Sequence, residues 1–146
     1  AEFADKLHEV MPVVTREFTH RQVDELRSGK ITLPQFLIMD FLQRKDASRM
    51  TDLARFMRVT TAAMTGIVER LVNCGYALRI FDSKDRRLVK VQLTSKGSEI
   101  VKRIYQNRRK LIMDIFGRIT PRERQEYLDI LLHIKEIIVQ DQGEEK

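Results

Sequence analysis

Apolar residues recur three and four positions apart through most of the chain, which is the spacing of one face of a helix. The first such pattern extends from Phe3 to Phe18 and predicts a helix that Pro12, lying inside it, should bend or interrupt. The second begins with a Thr-x-x-Gln capping box at Thr32 and continues to about Arg44. The first third of the chain is therefore expected to be helical.

Two short helices joined by a tight turn are predicted in the middle of the chain. Ser48 is the expected cap of a helix over residues 49–57. After the turn, Thr60 or Thr61 can begin a second helix, which Gly75 is expected to end. This pair of helices is typical of a helix-turn-helix.

Behind the helix pair, the hydrophobic period changes from helical to alternating. Residues 76–81 and 88–93 are strand-like and are separated by the polar stretch 82–87, which predicts a hairpin with a charged tip. Thr94 then caps a pattern long enough for a helix of about 23 residues. The last helix is predicted to begin at Thr120, where a capping box precedes a proline and a broad apolar stripe.

Charge is distributed unevenly along these elements. The 146 residues suit one domain, and 27 basic against 21 acidic side chains give a net charge of +6. Residues 44–110 hold 17 Lys and Arg against 6 Asp and Glu, which is +11, whereas the remainder holds 10 against 15, which is −5. A basic centre between acidic ends favours binding of a polyanion.

Several kinds of site are not expected. The single Cys74 excludes intrachain disulfides and paired-cysteine zinc sites, and a small buried residue explains it better than a redox role. His8, His20 and His133 have no ligand-spaced partners, so we expect no metal and no cofactor. Without a signal-like opening or a membrane-length apolar run, we expect a cytoplasmic protein with no membrane partner.

The order of the elements predicts a function. A helix pair followed at once by a basic-tipped hairpin describes a winged helix, in which one helix enters the major groove of DNA. Thr61, Thr65 and Arg70 lie on the face of that helix opposite its apolar stripe, so we expect them to contact bases or phosphates. Thr60 is expected mainly to cap the helix, and an ordinary solvated helix surface is the alternative for all four.

Arginines at the hairpin tip suit a narrow, negative minor groove. Arg86 and Arg87 follow Asp85, which can orient one guanidinium through a paired hydrogen bond. A solvated turn is the alternative, but the position behind a helix-turn-helix favours contact with a groove or a phosphate.

These residues resemble the MarR-type winged-helix transcription regulators. The likeness is strongest from Thr51 to Gly97, especially in Asp82-x-x-Asp85-Arg86-Arg87 followed by Leu93-Thr94-x-x-Gly97. The resemblance implies that Arg87 enters the minor groove and that Arg86 contacts a phosphate. It also implies a homodimer, joined through its terminal helices, on a pseudo-palindromic site.

The expected fold is mainly α with a small β-hairpin wing. It is a winged helix-turn-helix with long N- and C-terminal dimerisation helices, in a single MarR-like domain over residues 1–146. Residues 1–30 and 112–146 are the expected dimerisation helices, 31–93 the DNA-binding region and 94–117 the long connecting helix.

Many members of this family bind a small aromatic or anionic effector in a cleft between the dimerisation and DNA-binding helices. The candidates to line such a cleft here are Phe18, Phe36, Met39 and Tyr105, although core packing explains the same residues equally well.

The predicted function is sequence-specific binding of double-stranded DNA by a dimeric regulator, which represses by occupying promoter DNA and is released by an effector. The alternative is a winged-helix interaction module whose basic face meets an acidic protein without DNA readout. An enzyme is not expected, because the chain has no Gly-rich phosphate loop, no nucleophile elbow and no helical pair of His ligands.

Overall fold

The computed structural model describes residues 1–144, most of which are helical. The chain forms two compact units, one over Ala1–Asn107 and the other beginning at Arg108. The helices are α1 (Glu2–His20), α2 (Asp24–Arg27), α3 (Leu33–Lys45), α4 (Met50–Met57), α5 (Thr61–Asn73), α6 (Ser95–Phe116) and α7 (Pro121–Glu144). The strands are β1 (Ser48–Arg49), β2 (Ala77–Phe81) and β3 (Val89–Leu93). A mainly helical fold with a small wing is thereby confirmed.

Threonine caps fix where three of the helices begin, as the sequence predicts. At α3, the Thr32 hydroxyl accepts from the Gln35 N–H at 3.4 Å and the Gln35 side chain accepts from the Thr32 N–H at 3.0 Å. At α7, Thr120 and Glu123 exchange the same two bonds, at 3.2 and 2.7 Å. At α5, Thr60 is the cap and accepts from Ala63 N–H at 3.1 Å. Each cap satisfies backbone donors that a helix cannot pair internally.

The sheet has one strand more than the predicted hairpin. The order is β1-β3-β2, and β3 pairs antiparallel with both neighbours. Ser48 belongs to β1, opposite Val91, and its hydroxyl donates to the Asp46 carbonyl. The prediction that Ser48 caps α4 is therefore wrong: Arg49 precedes that helix and gives no side-chain cap.

Pro12 does not interrupt the first helix, and the second helix was not predicted. The expectation at Pro12 was a bend or an interruption, and helix α1 runs without a break from Glu2 to His20. Proline removes one N–H donor from a helix, and the turns on either side of Pro12 continue without it. The four-residue helix α2 has no apolar period of its own and was not predicted.

The core lies within the unit of residues 1–107 and joins α3, α4, α5, the sheet and the start of α6. Its buried apolar members are Ile31, Phe36, Ile38, Met39, Leu42, Leu53, Ala54, Met64, Val68, Leu71, Tyr76, Ala77, Val91, Ile100, Val101 and Ile104. Both helices of the helix-turn-helix contribute to it, so their mutual position is set by burial. No helix in the described part of the chain is long and apolar enough to cross a membrane.

Candidate nucleic-acid interface

The helix-turn-helix consists of α4, α5 and the turn between them. The turn is closed by Arg58 in the left-handed region, with φ of 55°, and by a 3.1 Å bond from the Val59 N–H to the Ala54 carbonyl. Leu53 of α4 and Met64 of α5 are fully buried on the inner side. The turn and the core together hold α5 in one orientation.

Helix α5 presents a polar outer face. Met64, Val68 and Leu71 are buried, whereas Thr61, Thr65, Glu69 and Arg70 are exposed, as the apolar period predicts. The Thr65 hydroxyl donates to the Thr61 carbonyl at 2.9 Å. With its proton engaged there, this hydroxyl can act outward only as an acceptor.

Gly66 lies in the middle of this outer face. A Cβ added to it would meet no atom within 4 Å, so packing within the chain gives no reason for a glycine. Glycine inside an exposed helix costs about 0.5–1 kcal/mol relative to alanine. The position therefore leaves room above the helix backbone at some expense of helix stability.

The wing loop is ordered by Asp82. Its carboxylate accepts from the backbone N–H of Lys84 at 2.7 Å and of Asp85 at 3.3 Å. These two bonds, and to a smaller extent the nearby Lys90 and Arg49, lower the pKa of Asp82 below its ordinary value of 3.8. The sequence analysis places Asp82 in the family motif but misses this role. An Asp at the start of a turn is the local pattern that could have predicted it.

Asp85 holds Arg87 at the tip of the wing. Its two carboxylate oxygens accept from Nε of Arg87 at 3.1 Å and from a terminal guanidinium nitrogen at 3.2 Å. The side-chain bonds from Arg87, followed by the bond from its backbone N–H, lower the pKa of the Asp85 carboxyl. Arg86 is exposed and, within the described residues, has no hydrogen bond or ion pair, so its full donor set faces solvent.

The base of the wing is fastened to the end of α5. The Thr94 hydroxyl donates to the Gly75 carbonyl at 2.5 Å and accepts from the Gly97 N–H at 3.1 Å. A Cβ on Gly97 would collide with the carbonyl of Tyr76, so this position needs a glycine. The predicted DNA-binding residues thus lie on two surfaces, the outer face of α5 and the wing tip, that one junction connects.

The four residues proposed for an effector cleft have different environments. Phe36 and Met39 are members of the buried core, Phe18 is half-buried, and Tyr105 is 65% exposed. An open groove of about 790 Å³ lies instead along one side of α1, and none of the four lines it. His8 borders that groove, but no three metal-ligating side chains cluster anywhere in residues 1–144.

The fold and this arrangement define a winged helix-turn-helix protein, and part of the chain matches a known protein family. Residues 31–89 match the model of the MarR family. The HTH-type transcriptional regulator YfiV of Bacillus subtilis is 26% identical over 103 residues, which are 70% of this chain and 64% of that protein. FarR of Neisseria gonorrhoeae, also an HTH-type transcriptional regulator, is 30% identical over 64% of this chain and 66% of its own length.

The solved structures agree on the fold. The crystal structure of Streptococcus pneumoniae FabT in complex with DNA matches with a TM-score of 0.79 at 16% identity, over 94% of this chain and 98% of that one. The predicted resemblance is confirmed: residues 31–89 match the MarR family, and the fold is that of a winged helix-turn-helix protein. YfiV and FarR are both HTH-type transcriptional regulators by name.

The bond between Asp85 and Arg87 can be tested by titration. Arg87→Ala removes the largest cause of the lowered Asp85 pKa, so that pKa should rise toward 3.8, the ordinary value for the group. Carbon-13 NMR of the carboxyl groups measures the midpoint. Asp82 is the internal control, since backbone bonds from Lys84 and Asp85 lower its pKa. An unchanged Asp85 midpoint would contradict the bond.

Proposed function

We propose that the protein is a sequence-specific double-stranded DNA-binding repressor that acts as a homodimer on a pseudo-palindromic promoter site. One observation carries the proposal: an exposed, threonine-lined helix face and an arginine-tipped hairpin are fastened to each other at the Thr94 junction. FabT, whose fold this chain shares, was crystallised with DNA, which supports the same partner here. The charge of +11 over residues 44–110 suits a polyanion.

Each predicted residue has a role in this proposal. Thr65 reads bases as a hydrogen-bond acceptor, which suits the exocyclic amines of cytosine and adenine in the major groove. Thr61 and Arg70 contact bases or phosphates beside it. Arg87, held by Asp85, enters the minor groove, and Arg86 binds a phosphate with its unengaged donors.

Dimerisation is proposed from the apolar faces of the terminal helices. In α1, the exposed apolar side chains include Phe3, Leu7 and Met11, and Phe3 is 77% accessible. In α7, nine large apolar side chains are exposed: Tyr127, Leu128, Ile130, Leu131, Leu132, Ile134, Ile137, Ile138 and Val139. Apolar surface of this extent on a soluble protein marks an interface. A dimer would also carry two copies of α5, one for each of two half-sites about 34–36 Å apart.

Release by a small aromatic or anionic effector completes the proposal. Such a molecule would contact Tyr105 and Phe18 from solvent, whereas Phe36 and Met39 would become accessible only if the core opened. An effector that binds the opened form better would shift the population toward it and so change the affinity for DNA.

The decisive experiment selects bound sequences from a random duplex pool and then compares variants by fluorescence anisotropy at several salt concentrations. Arg87→Ala should weaken binding and lower the slope of log affinity against log salt by about 0.9 if one phosphate contact is lost. Arg122→Ala is the matched control, since Arg122 forms only an exposed ion pair with Glu126 in α7.

Two outcomes would contradict the proposal. If the wild-type protein binds no duplex at low salt, it is not a DNA-binding regulator, and capture of an acidic protein by the basic face becomes the explanation. If the wild type binds but Arg87→Ala has the same affinity and slope as Arg122→Ala, the wing does not contact DNA.

Gly66 gives a test in which stability and binding change in opposite directions. Gly66→Ala should stabilise the fold by about 0.5–1 kcal/mol, because it removes glycine from a helix and meets no neighbour. The added methyl group should weaken DNA binding by about tenfold, if the duplex approaches the helix backbone there. Urea unfolding and anisotropy measure the two effects.

The matched control is Gly143→Ala, which also places a Cβ in open space on an exposed helix. It should leave DNA binding unchanged. Equal affinities for Gly66→Ala and the wild type would show that DNA does not approach this face closely.

The dimer is tested at α7. Leu131→Glu places a charge in the exposed apolar stripe and should raise the dimer dissociation constant by about 30-fold, the effect of losing about 2 kcal/mol at a central interface residue. Sedimentation equilibrium measures it, with the exposed Gln140→Glu as a control that adds the same charge. A wild-type protein that is monomeric at all concentrations would overturn the proposed dimer.

A further inference from the structure

Two positive side chains lie directly opposite each other on the outer face of the sheet. Arg49 of β1 pairs with Lys90 of β3, and both are exposed. The adjacent pair, Ser48 and Val91, is buried, which confirms that Arg49 and Lys90 share the outward face. Directly opposed residues in an antiparallel pair have Cβ atoms about 5 Å apart.

Like charges at this separation destabilise a strand pair, and the chain does not neutralise them. Neither Arg49 nor Lys90 forms an ion pair within the described residues. Asp82 interacts electrostatically with both, and one of its oxygens already accepts the N–H groups of Lys84 and Asp85. One carboxylate against two cations leaves a net positive charge that faces solvent.

The position of the pair connects it to the proposed DNA-binding surface. Arg49 immediately precedes α4, the first helix of the helix-turn-helix. Lys90 is three residues from Arg87 along the hairpin, with Arg87 in the turn at the tip and Lys90 in β3. A phosphate held between Arg49 and Lys90 would therefore belong to the same polyanion that the wing tip contacts.

We propose that Arg49 and Lys90 together bind a backbone phosphate of the DNA duplex, outside the bases that α5 reads. The proposal rests on the proposed DNA binding and adds a second phosphate site to it, at the root of the wing. The phosphate supplies the countercharge that this strand pair lacks. Because it carries no base information, the contact adds affinity for every sequence equally.

The test is the double variant Arg49→Gln/Lys90→Gln, compared with the wild type on the selected duplex and on a random duplex. The salt slope should fall by about 0.9, the effect of one lost phosphate contact, and affinity should fall by about tenfold on both duplexes, which leaves their ratio unchanged. The unfolding midpoint in urea should stay the same or rise, because the substitution removes a repulsion.

The matched control is Lys102→Gln/Lys110→Gln, which removes the same net charge from exposed positions of α6, outside the proposed DNA-contacting residues and dimerisation helices. It accounts for the general field of a less positive protein. If the double variant folds poorly, the single variant Lys90→Gln is measured instead. It should lower the salt slope by about half as much as the double variant.

Each result has one interpretation. A wild-type protein that binds no duplex refutes the proposed function itself. A wild-type protein that binds while both double variants give the same slope refutes only this phosphate site. A loss on the selected duplex alone would place Arg49 and Lys90 at bases and would also overturn the proposal.

Discussion

The junction between α5, the hairpin and α6 is the constraint on which the candidate interface depends. Tyr76 is 1% exposed, and its backbone carbonyl accepts from the Thr94 N–H at 3.0 Å. The Thr94 hydroxyl bridges the Gly75 carbonyl and the Gly97 N–H, and Lys96 Nζ donates to the Cys74 carbonyl at the end of α5. A recognition helix and a wing can contact one duplex together only if their relative position is fixed, and these bonds fix it.

Most basic side chains of this protein contribute little to the stability of the fold. The described ion pairs of Arg44, Arg55 and Arg122 with neighbours on their own helices are exposed, and pairs of that kind contribute little to stability. Arg86 and Lys90 have no such pair in the described part of the chain. An unpaired cation costs little folding free energy while it is solvated. It contributes most to binding free energy when a polyanion releases its counterions on binding.

The features that could be predicted from the sequence are those that a few neighbouring residues decide. The caps at Thr32 and Thr120 need only four residues, and the inward face of α5 follows from its apolar period. Strand β1 has two residues and exists through pairing with β3, 40 residues later, so no local pattern indicates it. The cap assigned to Ser48 was wrong for the same reason. For the proposed cleft, the alternative of core packing holds for Phe36 and Met39, whereas Tyr105 is exposed.

The two faces of α5 are subject to different constraints: core packing sets the inner face, and the proposed DNA contact would set the outer face. Met64, Val68 and Leu71 hold the helix in the core, so their size and shape are fixed by packing. The Thr65 hydroxyl bonds back to its own helix, and a Cβ on Gly66 would meet open space. A substitution at either position would therefore change the surface that α5 presents to a duplex without displacing the helix. A protein can therefore keep the scaffold that it shares with FabT at 16% identity while reading a different site. In the proposed interface, specificity would therefore be set by the residues that the core leaves free.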